Sequence, residues 1–511
     1  MQAFLNIYRL GIVVLDKKAI GYQALINQLE LSVIPHYRQS YVTNKGRGYT
    51  HFGSPYDIHV YPINYALKDP NDPLQQIEFA IKYDGINLEI LLAVFKKIDV
   101  KEIEIYIHQQ PGGKYARIIW FLYEFLTGEI INVPAISKVS YVSILDPELY
   151  YTAPGIKSTK HKIYNNLLGT KDFCPILRKT KCLQDYISKE YDIAAKQLTA
   201  KYSPQLIARA SQYLFTKETL SSYEIEREVP NKDRLDKFVA LLQTSYTIDN
   251  LTKVLLIELQ NTIVEPRFKD VDYRSNQNYV GENIYYYSQR LHYISPKPEN
   301  ISSLMHGLLL TLDASIHAKI HPVLIAAMIA FGFVFVHPFE DGNGRIHRFL
   351  IHYILSRTGF TPPGIIFPVS AVMFKKISDY DAILESFSKP LLELINNYEL
   401  SDDGMLTVQQ DTVNYYRYVD YTKFAEYLFA CIAETLKDHF ENEIQFLLNY
   451  DRTKLAIQNK IDMPDRLIDL FIKFSMQNHG VLGKQKQEKY FNMLTETEIT
   501  ALQLLVKENM L

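Results

Sequence analysis

From about residue 200 onward, apolar residues recur at three- and four-residue steps, the period of a helix with one buried face. Leu235 to Gln243, Ile248 to Ile263, Ile301 to His317, Gly344 to Arg357 and Ile377 to Asn396 all follow it. Pro322 to Val336 is apolar all round, which predicts a helix buried on every side. Tyr273 to Tyr293 breaks the run: it is polar, aromatic and β-prone, and it ends at Ser295-Pro296-Lys297-Pro298. A β-hairpin inserted among helices accounts for it. After Ser401-Asp402-Asp403-Gly404 the helical period resumes.

The first 195 residues are more mixed. Leu74 to Lys97 has helical spacing through Ile77, Phe79, Ile81, Ile86, Leu88 and Leu91, with a break predicted at Gly85. Pro111-Gly112-Gly113 opens a helix over Lys114 to Leu126, closed by Gly128. Lys101 to His108 alternates like a strand, whereas Asn44 to Gly48 and Lys68 to Pro73 read as loops. The pattern predicts a mainly α protein in three parts: an α+β region over 1–195, a helical core with a hairpin over 200–400, and a helical region over 401–511.

Composition mostly excludes. A chain of 511 residues is too long for one ordinary core. Lys plus Arg (55) nearly balances Asp plus Glu (57), so no broad basic surface exists to grip nucleic acid. Cys174, Cys182 and Cys431 are too few and too scattered for a disulfide framework or a zinc site. The start lacks a basic region before its apolar stretch, and no run of 18 apolar residues occurs. A cytoplasmic chain without membrane contact is the expectation.

The chemistry concentrates in His337-Pro338-Phe339-Glu340-Asp341-Gly342-Asn343-Gly344-Arg345-Ile346-His347-Arg348. Asn343 is placed to cap a helix running to Arg357, and Gly342 and Gly344 let backbone N–H groups converge on an anion. Arg345 and Arg348, three apart, share one helix face, where guanidinium forks suit phosphate oxygens. Asp341 is a hard oxygen ligand that fits Mg²⁺ beside a polyphosphate. His337 is placed to take a proton from a hydroxyl. Singly each is ordinary loop or cap chemistry; together they describe displacement at phosphorus. His347 with His352, and His317 with His321, lack a third ligand for zinc, and Lys484, Lys486 and Lys489 read as a solvated face.

The twelve residues resemble the signature of Fic proteins, HxFx[DE]GN[GA][KR]xxR, at every specified position, with likeness over roughly 240 to 395 and, more loosely, to long bacterial forms. The resemblance implies Mg²⁺-dependent transfer of AMP from ATP to a Ser, Thr or Tyr hydroxyl of a protein. His337 is then the base, Asp341 holds the metal, and Gly342, Asn343 and Gly344 cradle phosphate, with Asn343 also contacting it. Arg345 takes the β-phosphate and Arg348 the γ-phosphate. Phe339 would be a core plug. Arg345 in place of Lys favours AMP transfer over the kinase-like branch. Arg290, Leu291, His292, Tyr293 and Ile294 belong to the flap that clamps the target by strand addition. Tyr380 and Leu384 resemble the helix lining the adenine pocket, with Asp381 replacing a second Tyr.

Upstream, Ser222 and Glu226 fit the family's inhibitory motif [ST]xxxE[GN], although Arg227 stands where Gly or Asn is expected. Glu226 would pair with Arg348, displace the γ-phosphate and hold the enzyme off, with release on self-association. It would also suit water activation for AMP removal. The alternatives are transfer of another phosphate-linked group, or a non-catalytic nucleotide-sensing regulator. The protein target, which includes the chain itself as a candidate, is not legible.

Overall fold

The computed structural model describes residues 17–44, 46–53, 56–285, 288–401 and 403–510; the expected absence of a leader at the start, Lys45 in the first loop and Asp402 at the third boundary lie outside them. Over the described residues the chain is mainly helical, with a few small sheets. Four strands, Lys17–Ile20, Arg38–Thr43, Asp57–Pro62 and Tyr49–His51, lie in that order in one N-terminal sheet. Its central pair is parallel and both outer pairs are antiparallel. An α+β N-terminal region is therefore present.

The predicted break at Gly85 is real. Pro73–Phe79, capped by the Asp72 carboxylate, runs into a wider π turn over Ala80–Asp84, and the chain restarts at Leu88–Phe95 under an Asn87 cap. Gly85 sits at φ 99, a conformation that costs other residues strain. The expected strand at Lys101 to His108 is instead the helix Val100–Gln109. Asp99 caps it by accepting the Lys101 N–H at 3.0 Å. Ile103 and Ile107 are fully buried one turn apart, while Ile105 between them is 56% exposed. The alternation was a coincidence of Ile spacing that a cap and an i, i+4 face override.

The chain divides into two compact units. The first comprises the described residues of Met1–Ser188, Thr247–Thr358 and Ile377–Leu428; the second comprises Lys189–Tyr246, Gly359–Lys376 and Phe429–Leu511. In the first, Pro322–Val336 is buried on nearly every side, as its composition predicts, and packs against Pro298–His317 and Asn343–Arg357. Phe173 wedges into this bundle, fully buried, and its carbonyl accepts the Thr311 hydroxyl at 3.1 Å. Burying a phenyl ring stabilises by about 1.5–3 kcal/mol, so this wedge fastens the N-terminal region to the bundle.

In the second unit, Pro204–Ile225 is the long helix, packed on Lys232–Thr244, Val369–Lys375 and Glu441–Lys460. Glu218 is 1% exposed, and its carboxylate accepts Ser370 N–H at 2.8 Å and the Ser370 hydroxyl. It thus caps the first turn of Val369–Lys375 from outside that helix. Asp465–Met476, Lys484–Tyr490 and Glu496–Met510 close around a small core with Phe471, Phe491 and Leu502 at its centre. Among the described residues, no helix is long and apolar enough to cross a membrane.

Candidate active site

The buried helix Pro322–Val336 delivers His337 at its C-terminal cap, in the left-handed conformation (φ 52, ψ 57). Its N–H bonds to Phe333 O at 2.9 Å, and its ring Nδ1 donates to Val334 O at 3.0 Å. A carbonyl can only accept, so Nδ1 carries the proton of the neutral ring and Nε2 carries the lone pair. A non-glycine residue held left-handed is strained, and such strain clusters where geometry matters more than stability.

The turn that follows is held by Asn343. Its Oδ1 accepts Phe339 N–H at 3.0 Å and its Nδ2 donates to Phe339 O at 2.7 Å. This corrects the expected capping role: the helix begins at Asn343, and its N-cap is Gly342, left-handed at φ 88 with no side-chain cap bond. Asn343 is 2% exposed, and both ends of its amide are bonded within the turn. A Cβ on Gly342 would meet Val264 Cγ1 at 3.0 Å, so both backbone angle and space select glycine. Phe339 is fully buried against Phe333 and Tyr273, the plug its apolar ring suggests.

Asp341 and Arg345 meet. Arg345 Nη2 lies 2.7 Å from Asp341 Oδ1, which also accepts Gly342 N–H at 2.5 Å. The Arg345 side chain is 1% exposed and that of Asp341 39%, so the acid faces outward from a buried base. Arg348, 1% exposed, follows on the same helix. Asp270 stands behind this pair. Its Oδ2 accepts Gln260 Nε2 at 3.1 Å and Glu340 N–H at 3.3 Å. Burial pushes its carboxyl up; the Glu340 N–H bond offsets part of that, and the Asp341 charge adds to it.

The hairpin pairs Tyr279–Tyr285 with Ser288–Ile294 antiparallel, with an irregularity between Val280 and Gly281. Tyr286 and Tyr287, between these strands in sequence, lie outside the described residues. The five flap residues divide. Tyr293 and Ile294 are buried anchors; Arg290 is exposed, and Leu291 and His292 are half-buried. The Tyr293 hydroxyl donates to Phe335 O, and Tyr416 donates to Ile294 O at 2.6 Å.

Tyr380 lies on Ile377–Leu394, 4% exposed, with its ring stacked on His347 at 6.4 Å between centroids; Leu384 is half-buried on the same helix. His347 is fully buried against Phe331, and burial pushes it down to about 3, so it stays neutral. Ser222 and Glu226 belong to the second unit, Ser222 fully buried within Pro204–Ile225 and Glu226 at its C-cap. A cavity of about 160 Å³ in the first unit is lined by His36, Glu89, Arg178 and Tyr415 among others, and by none of residues 337–348.

Sequence patterning missed Gln260, Asp270 and Arg274. A polar residue bonded mainly to backbone groups leaves no periodic trace; Arg274 lies inside a stretch read only as hairpin.

Residues 250–355 match the Fic/DOC family. Proteins named protein adenylyltransferase Fic are similar to this chain. The one from Nematostella vectensis is 38% identical over 97 residues, 18% of this chain and 19% of that protein. The one from Culex quinquefasciatus is 31% identical over 165 residues, 31% of this chain and 30% of that protein. The chain thus spans less than a third of the length of these curated relatives. The crystal structure of a Fic domain containing signaling protein from Bacteroides thetaiotaomicron is 20% identical, covering 52% of this chain and 97% of that one, with a TM-score of 0.36, a likeness too loose to argue from.

Proposed function

We propose that the site transfers AMP from ATP to a Ser, Thr or Tyr hydroxyl of a protein. The observation that carries this reading is the tautomer of His337: with Nδ1 bonded to Val334 O, the neutral ring carries its basic lone pair on Nε2, the atom a general base uses. The hydroxyl oxygen then attacks the α-phosphorus as its proton passes to Nε2. The bond to the β-phosphate oxygen breaks, and pyrophosphate leaves. The helix N-terminus at Gly342 and Asn343, with the guanidinium groups of Arg345 and Arg348, is the anion cradle for the phosphates.

Asp341 suits Mg²⁺. One carboxylate oxygen is held by Arg345 and Gly342 N–H, and the side chain is 39% exposed, which leaves its second oxygen as a hard donor. When bound, the ion neutralises charge on the transferring phosphates. Asp341 orients Arg345, so the acid serves the phosphate fork as well as the metal. The names of the relatives agree with this reading.

The inhibitory reading rests on the Ser222 and Glu226 pattern. Glu226 would compete with the γ-phosphate for Arg348; a charge-assisted bond of about 1.5–3 kcal/mol suppresses productive ATP binding by one to two decades. The same carboxylate is suited to orient water for AMP removal, and self-association is the expected release. The chain with Mg²⁺ and ATP labelled at the α-phosphate should label protein, and ATP labelled at the γ-phosphate should not. The reverse outcome would make the site a kinase.

A further inference from the structure

We propose that Arg274 is a positioning residue that locks the base of the hairpin and the peptide after His337 into one piece, so that acceptor clamp and general base keep a fixed relation. Arg274 is 4% exposed. Its Nε donates to His337 O at 2.8 Å, and its backbone N–H to Pro338 O at 2.8 Å. Its Nη2 donates to Ser295 Oγ at 2.9 Å and Pro296 O at 2.6 Å, and its Nη1 to Asn276 O at 2.5 Å. Asn276 precedes the first hairpin strand, and Ser295 and Pro296 follow the second. One planar group therefore touches both ends of the hairpin and the histidine itself.

Among the described residues, none of its hydrogen-bond acceptors is a carboxylate. A buried charge without a paired acid is costly, so the four guanidinium bonds must all be well made for it to persist. That requirement turns the charge into a geometric constraint. A second tie acts from the other side, because the Tyr293 hydroxyl holds Phe335 O two residues before His337. The hairpin base thus grips the chain on both flanks of the histidine. None of these bonds is made to Asp341, Asn343, Arg345 or Arg348; Arg274 reaches the turn only through His337 O and Pro338 O. Lysine, with three donors on one atom, cannot span Asn276, Ser295 and His337 together.

The inference rests on the proposed AMP transfer only for its kinetic readout; hydrogen exchange tests it without activity. In the full chain carrying Glu226→Gly, Arg274→Lys and Arg274→Gln are each compared with their parent. The expected result is about tenfold faster amide exchange over residues 279–285 and 288–294 and at 337–339, with the helix Leu88–Phe95 unchanged. Self-labelling at saturating ATP should fall roughly 10- to 100-fold while the KM for ATP moves less than about threefold, as expected for lost charged hydrogen bonds outside the cradle. Unchanged exchange in the hairpin would overturn the proposal, and so would a KM for ATP rising in step with the loss of rate. If the parent itself transfers no label, the function proposed above fails, and the exchange pattern alone decides the role of Arg274.

Discussion

His337 and Asn343 spend their side chains on the backbone, and that commitment is what makes the turn a site. The Asn343 amide closes a two-bond ring with the Phe339 peptide in a buried setting. Asn343→Ala would leave Phe339 N–H unsatisfied and its C=O with only the long 3.5 Å bond from Asn278 Nδ2, a loss of about 2–3 kcal/mol that a denaturant titration should read directly. The residue types of this turn were legible because each is chemically conspicuous in sequence. Their tasks were less so: Asn343 was expected as a cap, yet the cap is glycine. The difference is physical, since only Gly342 accepts φ 88 and the tight approach of Val264. Arg274, Gln260 and Asp270 escaped for the converse reason. Most of their partners are backbone groups, N–H for Asp270 and C=O for Arg274 and Gln260, which every residue carries and no sequence displays.

At the scale of elements, the end of Pro204–Ile225 shows what the Arg227 departure costs. Arg227 N–H bonds to Glu224 O and Glu228 N–H to Tyr223 O, both at 3.0 Å, with Arg227 at φ 57. This is the Schellman arrangement, in which the left-handed position favours glycine or asparagine. Arg227 adopts the conformation regardless, at a strain of about 1 kcal/mol. Glu226 therefore sits in a formed cap. Arg227→Gly should stabilise the chain by about 1 kcal/mol in thermal unfolding while leaving labelling from the α-phosphate of ATP unchanged. Destabilisation would show that the arginine makes contacts worth more than the strain. Long elements were legible from their period, as Pro322–Val336 shows. Val100–Gln109 was not, because its cap and its exposed Ile105 are settled only once a core chooses a face.

At the scale of the molecule, the N-terminal region is built into the first unit through buried polar groups as well as apolar ones. Glu89 is 7% exposed, with one oxygen accepting Ile34 N–H at 3.1 Å, and burial pushes its carboxyl up to about 8. The folded chain then binds this proton more tightly than the unfolded chain. Its contribution is fully present below the ordinary carboxylate range near 4.5 and is lost as pH rises toward about 8. Glu89→Gln should gain stability relative to the parent across that window, read as a difference in unfolding midpoint that grows with pH. A constant difference would mean that Glu89 is ionised in the folded state. Such burial is a property of the assembled unit and cannot be read from a glutamate in an apolar run.

The central claim is that His337 takes the proton of an acceptor hydroxyl while residues 341–348 hold ATP. The most direct measurement is Mg²⁺-dependent incorporation of label from the α-phosphate of ATP, compared between Glu226→Gly and Glu226→Gly with His337→Ala. The single variant should label above the parent, and the double variant should lose roughly 10²- to 10⁴-fold, the scale of a lost general base. Undiminished labelling in the double variant would contradict the account.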